Sequence, residues 1–597
     1  MKNPVEFGPK GRSGGKDLLK GRDVRYIYSR LLGYLAHYKG RLLLAVLLSA
    51  LSAVLGISGT SLAGSAVGAI VGEAEHGVPY YLILMIVFYT LSVLISYSLS
   101  VLMISLSQKI CAKMRTDVYN NLVKLPVGFF DKKQAGELVS IISYDINTIN
   151  ESLSNDFLQI VSSVVTVVYS LILMLSVSMQ LMVVFLITVP ISIIFTRVIG
   201  KIVRPLFRKR SRTLGEMNGY VEEMIAGHKT IKIYGREKEI LDAFAVKNEA
   251  AREAYTRAEA NGTMTGPTVN LINNLSLALV NIFGALLYMN GGIPLTGLSQ
   301  FILLSRKFSG PINQIANIYS DIQSSLAASE RVFRLIDETP EALDPPEAST
   351  LVKAGGRVEL SDVTFGYIPE RTVLKNLSFS APSGTTVAIV GPTGAGKTTI
   401  INLLMRFYDV NSGKIEIDGK NIYSYTRDSL RRAYTMVLQE TWLFHGTIFD
   451  NVAYGKEGAT RDDVERVCKA AHIHNFIVSL PNGYDTVLSE AAVNISKGQK
   501  QLLTIARAML IDSNMLILDE ATSNVDSKTE LDISDAMVGL MKDKTCFVIA
   551  HRLSTVRDAN LILVVKDGDV IEMGTHDELL EKGGFYRELY TSQFETI

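Results

Sequence analysis

One loop in the second half of the chain has the composition of a phosphate-binding site. The apolar run VAIV at 387–390 leads into GPTGAGKTT at 391–399, and a helical pattern follows. Glycines let the backbone N–H groups of such a loop close around phosphate oxygens, and the helix N-terminus adds positive potential. The residues predicted to hold phosphate are Gly391, Pro392, Thr393, Gly394, Ala395, Gly396, Lys397, Thr398 and Thr399.

Two side chains of this loop have distinct predicted tasks. Lys397 is expected to reach the β- and γ-phosphates of a nucleotide, and Thr398 is expected to bind Mg²⁺. A glycine-rich turn without a ligand is the alternative interpretation. The strand-like run before the loop and the helical pattern after it favour the phosphate site.

Two further strand-like runs end in residues that suit hydrolysis. MLIL at 515–518 precedes Asp519 and Glu520, and CFVIA at 546–550 precedes His551. Because ligands of a parallel α/β sheet bind at the carboxyl ends of its strands, these side chains and the loop are expected at one crevice. Asp519 suits a carboxylate linked to Mg²⁺, and Glu520 suits a base that polarises the attacking water. Taken singly, each would more simply be a surface or capping residue.

The chain that must position these residues has two halves of different character. Long apolar runs occur before about residue 335, and none follow residue 356. A membrane-spanning helix needs roughly 20 mostly apolar residues. Buried helices of a soluble protein would not require runs of this length, and some runs are long enough to continue beyond a bilayer. The six predicted spans are 42–71, 81–107, 156–178, 179–203, 264–289 and 295–322.

Basic residues predict the orientation of these spans. The connections 72–79, 176–180 and 290–297 contain no Lys or Arg, whereas the segment before residue 42 and the connections 108–154 and 204–262 are rich in both. Cytosolic loops carry the excess of basic residues. We therefore expect a multi-pass protein, integral to a bacterial plasma membrane, with both termini in the cytosol. No apolar signal-peptide region is recognised at the amino terminus.

The remaining segments complete the predicted organisation. The stretch 23–40 mixes aromatic, basic and apolar residues as an interfacial helix does, and 129–150 and 218–240 have helical spacing but are too polar for lipid. The predicted divisions are a cytosolic N-terminal segment with the interfacial helix (1–40), a six-helix transmembrane domain (41–337), a linker rich in Pro, Glu and Gly (338–357) and a nucleotide-binding domain (358–597).

Composition argues against other classes. The formal net charge is +1, so no general affinity for polyanions is indicated and nucleic acid is not an expected partner. The three cysteines, Cys111, Cys468 and Cys546, are far apart and are predicted to be reduced structural thiols.

Together these motifs resemble the ATP-binding cassette (ABC) transporter family over most of the chain. VTFGY supplies Tyr367, LQETWLF supplies Gln439, ISKGQKQ supplies Ser496, SNVD supplies Asp526 and AHRLST supplies His551. FFDKKQAGELVS and GHKTIKIYGRE are similar to intracellular loops of family exporters with six helices per subunit. The fold implied is a helical membrane domain, with long cytosolic extensions, plus an α/β P-loop NTPase domain with an ABC-type β-subdomain and a helical subdomain.

The resemblance also implies the cofactors, ATP and Mg²⁺, and the roles of single residues. Tyr367 would stack on adenine, and Gln439 would join Thr398 at Mg²⁺. Glu520 would be the catalytic base, and His551 would steady the γ-phosphate and the water.

In this family two nucleotide domains close face to face, so Ser496, Gly498 and Gln499 would contact an ATP held by a partner subunit. Lys497 departs from the family, which usually has glycine there, and Asn524–Val525 also departs from the common Ala-Leu. Lys497 is either a harmless solvated side chain or a bulky cation that holds ATP without promoting turnover. The second interpretation resembles the competent chain of a heterodimeric exporter, whose partner lacks the catalytic glutamate; a homodimer is the alternative.

The expected function is ATP-driven export of a small molecule, lipid or peptide, with a lipid flippase or an importer of the same fold as alternatives. No regulatory insertion suggests an ATP-gated channel, and the spans disfavour an ATPase acting on nucleic acid. Polar residues in the last two spans are candidates to face a cavity or, for the asparagines, to bond between helices. These residues are Asn270, Asn273, Asn274, Asn281, Arg306 and Lys307.

Overall fold

The computed structural model describes residues 24–439, 441–488, 495–519, 526–550 and 556–594. These residues form two compact units. The first contains the described residues up to Lys124 together with Gln134–Thr339. The second contains Leu125–Lys133 together with the described residues from Pro340 onward, so a nine-residue piece of the first half belongs to the second unit.

The first half of the chain is helical. Its helices are α1 (Val24–Ala36), α2 (Lys39–Val71), α3 (Val78–Leu122), α4 (Val127–Phe130), α5 (Ala135–Ser140), α6 (Ile146–Glu151), α7 (Phe157–Val177), α8 (Met179–Ala226), α9 (His228–Tyr234), α10 (Glu237–Thr263), α11 (Thr265–Met289) and α12 (Leu295–Ile336). Two π-helical segments, Ile141–Asp145 and Ser152–Asp156, join α5, α6 and α7 into one run.

Four helical runs among the described residues are long and apolar enough to cross a membrane: Lys39–Val71, Val78–Leu122, Ala135–Val177 and Glu237–Met289. The other two predicted spans, 179–203 and 295–322, lie within α8 and α12, which are 48 and 42 residues long. Because roughly 20 residues cross the hydrocarbon core, these helices must continue beyond it.

The two polar segments with helical spacing, 129–150 and 218–240, are interrupted in the structure. Residues between α4 and α5 form a turn, so 129–150 is not one helix. In 218–240, α8 ends before Gly227, and α9 ends at Gly235, whose φ of 60° is left-handed. Glycine adopts that conformation without the steric penalty of a Cβ, which is why the helix stops there.

The predicted interfacial helix is α1, and its apolar face packs on protein. Ile27 and Leu35 are buried. The Tyr34 hydroxyl donates to Asp117 of α3 at 2.8 Å, and Arg30 pairs with Asp337, which follows α12. These contacts hold α1 against the ends of two long helices.

The second unit carries the strands β1 (Val358–Phe365), β2 (Leu374–Ala381), β3 (Thr386–Val390), β4 (Ser412–Ile417), β5 (Lys420–Asn421), β6 (Tyr434–Val437), β7 (Gly446–Thr447), β8 (Val487–Leu488), β9 (Met515–Asp519), β10 (Thr545–Ile549), β11 (Leu561–Lys566) and β12 (Asp569–Gly574). Its helices after residue 396 are α13 (Lys397–Leu404), α14 (Arg427–Arg432), α15 (Ile448–Ala453), α16 (Arg461–Ala470), α17 (His474–Ser479), α18 (Lys497–Met509), α19 (Ser527–Met541), α20 (His576–Lys582) and α21 (Phe585–Phe594).

The central sheet of this unit has the order β12-β11-β3-β10-β9-β6, with β12 antiparallel and the other neighbours parallel. A second, antiparallel sheet has the order β2-β1-β4-β5. Alternate residues of β9 enter different apolar clusters: Leu516 and Leu518 pack with one, and Met515 and Ile517 with the other. The central sheet is therefore buried on both faces, as parallel sheets are, and the expected fold class is confirmed.

Candidate functional site

The phosphate loop, Asp519 and Gln439 lie at or just after the ends of strands that end at the same edge of the central sheet. Ile549, the last residue of β10, lies opposite Asp519 of β9 and Ile389 of β3. The phosphate loop begins directly after β3, and Gln439 lies two residues after β6. The sheet register therefore brings the phosphate loop, Asp519 and Gln439 to one edge.

The loop 391–399 needs glycine at particular positions. Gly391 has φ 152°, and a Cβ there would lie 2.0 Å from the carbonyl oxygen of Val565. Gly396 has φ 107°, and its Cβ would lie 2.8 Å from a methyl group of Leu374. Any larger residue would displace the backbone whose N–H groups form the predicted phosphate cradle.

Lys397 is held within this loop. Its ammonium group donates to the carbonyl oxygens of Gly391 at 2.7 Å and Pro392 at 3.0 Å. Burial lowers the pKa of Lys397, and the nearby Asp519 carboxylate acts in the opposite direction. A partly desolvated cation beside the loop is a strong partner for phosphate oxygens, because less hydration must be removed on binding.

The residues proposed for Mg²⁺ have suitable chemistry. Thr398 and Gln439 are exposed, and with Asp519 they offer a hydroxyl, an amide oxygen and a carboxylate. Among the described residues there is no cluster of three or more His, Cys, Asp or Glu side chains. One carboxylate with neutral oxygens fits an ion that keeps water and phosphate oxygens among its ligands, as Mg²⁺ does.

Glu520 and His551, the predicted base and its companion, lie outside the described residues. So do Asn524, Val525 and most of the stretch that precedes Ser496. The strands leading to the two predicted catalytic residues are described, and they end at the sheet edge where the phosphate loop begins.

Tyr367, predicted to stack on adenine, is fixed by its hydroxyl. That group donates to Thr399 Oγ1 at 3.2 Å and accepts from Asn402 Nδ2 at 3.1 Å. The Thr399 side chain is buried, so this member of the predicted phosphate loop also anchors the aromatic ring. Asn402 belongs to no motif and is therefore missed by sequence analysis. Its position three residues after Thr399 places both residues on one face of α13, which is the signal that could have found it.

Tyr408 and Asp131 are a second contact that no sequence motif indicated. The Tyr408 ring meets Tyr367 edge-on at a centroid distance of 4.9 Å, and its hydroxyl donates to Asp131. A Cβ on Gly128 would lie 2.8 Å from the same ring. Tyr408 thus joins the predicted adenine residue to the segment Leu125–Lys133 within one compact unit.

This contact gives a direct prediction. We expect Tyr408→Phe to speed amide exchange in 125–133 by about three- to tenfold, because losing a hydrogen bond to a carboxylate removes roughly 1 kcal/mol of local stability. Hydrogen–deuterium exchange of the full-length protein measures this. Tyr454→Phe, at an exposed tyrosine of the same unit, is the matched control. Unchanged exchange in 125–133 would refute the assignment of Tyr408 as its anchor.

The predicted partner-facing residues form a helix start. Ser496 is the N-cap of α18: its Oγ accepts from the Gln499 N–H at 3.2 Å, and the Gln499 side chain accepts from the Ser496 N–H at 3.0 Å. Gly498 is buried, and Lys497 is exposed at the first helical position. A cation there opposes the helix dipole but adds to the field that attracts an anion.

Asp526 is likewise an N-cap, in this case of α19. Its carboxylate accepts from the Thr529 N–H at 3.0 Å, and this bond lowers the pKa of Asp526. The residue that the family resemblance picks out in SNVD therefore caps a helix, and the cap favours the ionised form of its carboxyl group.

Comparison with known proteins places both halves of the chain in described families. Residues 42–312 match the ABC transporter transmembrane region, and residues 374–523 match the ABC transporter family. The chain is 41% identical over 585 residues to the uncharacterized ABC transporter ATP-binding protein YfiC of Bacillus subtilis, covering 98% of this chain and 97% of the relative.

Two other relatives have functions in their names. A fatty acid ABC transporter ATP-binding/permease protein of Mycobacterium bovis is 44% identical over 81% of this chain and 76% of its own length. An ATP-dependent lipid A-core flippase of Desulfotalea psychrophila is 34% identical over 82% of this chain and 85% of its own length. A solved bacterial Atm1-family ABC exporter with ATP bound has a TM-score of 0.74 and 30% identity, covering 94% of this chain and 99% of that one.

Proposed function

Because the chain belongs to the ABC transporter family, as an ATP-hydrolysing half-transporter of the exporter type, we propose that it exports an amphipathic lipid-like molecule together with a different partner chain. ATP binding and coupled hydrolysis belong to its ABC domain. The observation that carries the ATP-driven part of the proposal is the common sheet edge at which the phosphate loop, Asp519 and Gln439 lie. The substrate class, partner, direction and residue roles are the proposed parts.

The roles proposed within one site follow from side-chain chemistry. Lys397 and the loop N–H groups bind and neutralise the β- and γ-phosphates. Glu520 accepts a proton from the attacking water, and His551 donates a hydrogen bond that orients the reacting group. Mg²⁺, held by Thr398, Gln439 and Asp519, supplies charge neutralisation to the phosphates when bound.

The partner completes the site in this proposal. ABC exporters work as dimers, and the exposed start of α18 at Ser496 suits contact with a γ-phosphate bound by another subunit. Lys497 adds positive charge at that position. This charge favours keeping ATP bound without hydrolysis. We therefore assign this chain the competent base. We assign its partner a signature loop, the loop that corresponds to 495–499 of this chain, with the usual glycine but without a competent base elsewhere.

The lipid-like substrate is supported by the relatives named for fatty acid transport and lipid A-core flipping. Flipping a lipid between leaflets and exporting it use the same inward-to-outward step, so the flippase alternative differs only in where the substrate is released. Basic cytosolic connections support a plasma-membrane protein with both termini in the cytosol.

Transport in sealed inside-out vesicles tests the proposal. Vesicles from cells co-expressing the chain and its candidate partner should accumulate radiolabelled oleate when ATP is added, and vesicles carrying Glu520→Gln should not. ATP-dependent accumulation by right-side-out vesicles loaded with nucleotide, with none by inside-out vesicles, would instead establish an importer.

A further inference from the structure

A polar cavity lies among four long helices, three of which belong to runs long and apolar enough to cross a membrane. Its volume is about 730 Å³, and it is bounded by α2, α3, α7 with the π segment before it, and α12. Seven serines, one threonine, Asn155 and Gln159 line it. Polar groups are costly in hydrocarbon unless they face one another, water or a ligand. The number of hydroxyl groups that line the cavity therefore indicates that it holds water or a polar ligand.

The charge of the cavity has one sign. Arg306 and Lys307 both line it and are exposed, and none of its described lining residues is Asp or Glu. Asp156 is next to Asn155 in sequence but is not part of the lining. The predicted polar candidates of α11, including Asn270 and Asn274, do not line this cavity either. The wall therefore has two formal positive charges and many hydrogen-bond donors.

Arg306 and Lys307 lie at a position along α12 where a charged side chain needs a polar surrounding. α12 begins at Leu295, and Arg306 follows it by 11 residues. At 1.5 Å per residue this is roughly 17 Å from the helix start, near the middle of a hydrocarbon core about 30 Å thick. Cations at that depth are tolerated where they face a polar cavity or a counter-charge.

An irregular backbone segment forms part of the same wall. Ser154 and Asn155 belong to the π-helical segment Ser152–Asp156, and the Ser154 hydroxyl bonds Ser107 Oγ at 2.6 Å. A π-helical turn rotates the side chains that come after it, and such turns occur frequently at functional sites. The π-helical segment thus directs polar side chains of its helix toward the cavity. This is a second observation, separate from the cations on α12.

From this geometry we propose that the cavity binds amphipathic anions. Arg306 and Lys307 neutralise a carboxylate or phosphate head, serine hydroxyls donate to its remaining oxygens, and Leu99, Ile104 and Leu158 contact the apolar body. The inference rests on the proposed transport function, of which it names the substrate charge. A fatty acid and an anionic phospholipid share this chemistry.

The test is equilibrium binding to the full-length assembled transporter in nanodiscs of neutral lipid, without ATP. The probes are oleate, dioctanoyl phosphatidylglycerol and monoolein, a neutral amphiphile with the same chain as oleate. We expect one or both anions to bind at least about tenfold more tightly than monoolein. Arg306→Gln with Lys307→Gln should weaken anion binding by about 30- to 100-fold and leave monoolein unchanged.

Two variants make the result specific. Arg306→Lys with Lys307→Arg keeps both charges and should bind anions within about threefold of the parent protein, which separates lost charge from misfolding. Arg197→Gln with Lys201→Gln removes two charges from α8, outside the cavity lining, and should have no effect. Preference for oleate assigns a fatty acid, and preference for phosphatidylglycerol assigns a phospholipid.

Binding of neither anion more tightly than monoolein, or anion binding unaffected by the double glutamine variant, would overturn the proposal. Failure of the proposed transport function gives a different result. If the cavity binds anions but the protein does not export them, anions bind with the predicted charge dependence and ATP drives no accumulation in vesicles.

Discussion

The Glu520→Gln variant is expected to bind ATP with nearly unchanged affinity and to hydrolyse it at least about a hundredfold more slowly. General base catalysis contributes about 10²- to 10⁴-fold, and the amide keeps the shape of the side chain while removing its basicity. The phosphate loop and Lys397 are expected to contact the nucleotide independently of this residue. Steady-state ATPase and equilibrium binding of a fluorescent ATP analogue, both on the co-expressed complex, measure the two effects separately.

Two further variants define what that result means. Glu457→Gln alters an exposed glutamate of the same unit and should leave hydrolysis unchanged. Lys397→Ala should lose binding as well as hydrolysis, because it removes the cation that lies within the loop. ATPase activity near the parent rate in Glu520→Gln would show that another residue is the base.

The sheet edge of the site could be predicted because its signals are local. Each motif comes directly after a short apolar run, and a parallel strand presents the residues after its carboxyl end to the ligand. The sequence alone thus predicts that the loop after Val390 and the carboxylate at Asp519 share one crevice. The register of Ile549 with Asp519 and Ile389 agrees with that arrangement.

The contact between Tyr408 and Asp131 could not be predicted in the same way. Tyr408 and Asp131 are 277 positions apart. Asp131 lies in the loop motif FFDKKQAGELVS, but nothing in that motif marks Tyr408 as its partner. Their contact depends on a nine-residue segment belonging to the second compact unit, which hydrophobic periodicity does not encode. Long-range pairs of this kind arise from tertiary packing and leave little trace in the local sequence.

The π-helical segments escape sequence-based prediction for a different reason. Residues 129–150 have helical spacing, but a single inserted residue in a helix rotates all later side chains without changing composition. Asp145 is the last residue of one such segment. Its carboxylate forms a bidentate ion pair with Arg331 of α12, accepting from Nε at 2.7 Å and from Nη2 at 2.6 Å. The sequence pattern therefore indicates a helix while leaving open which residues its two faces bury.

Expression of this chain alone provides the test of the proposed unequal sites. In a heterodimer the site using Glu520 faces the partner's signature loop, and Lys497 faces the ATP bound by the partner. Alone, every assembled site would combine Glu520 with Lys497 at the start of α18. A bulky cation there would alter the preorganised contacts to the γ-phosphate, and loss of such contacts costs about 10²- to 10³-fold in rate.

We therefore expect ATPase activity per assembled dimer to be at least about tenfold lower for the lone chain than for the co-expressed pair. Lys497→Gly should raise hydrolysis by the lone chain, because it restores the usual residue at both sites. In the co-expressed pair the same change should alter turnover by no more than about threefold, since the site that uses Glu520 does not contain Lys497. Lys500→Gly, one turn further along α18, is a matched control for the loss of a lysine. High activity from the lone chain, with two equivalent nucleotides occluded, would establish a homodimer. In a homodimer both sites contain Lys497, so rapid hydrolysis there would show that Lys497 does not prevent turnover.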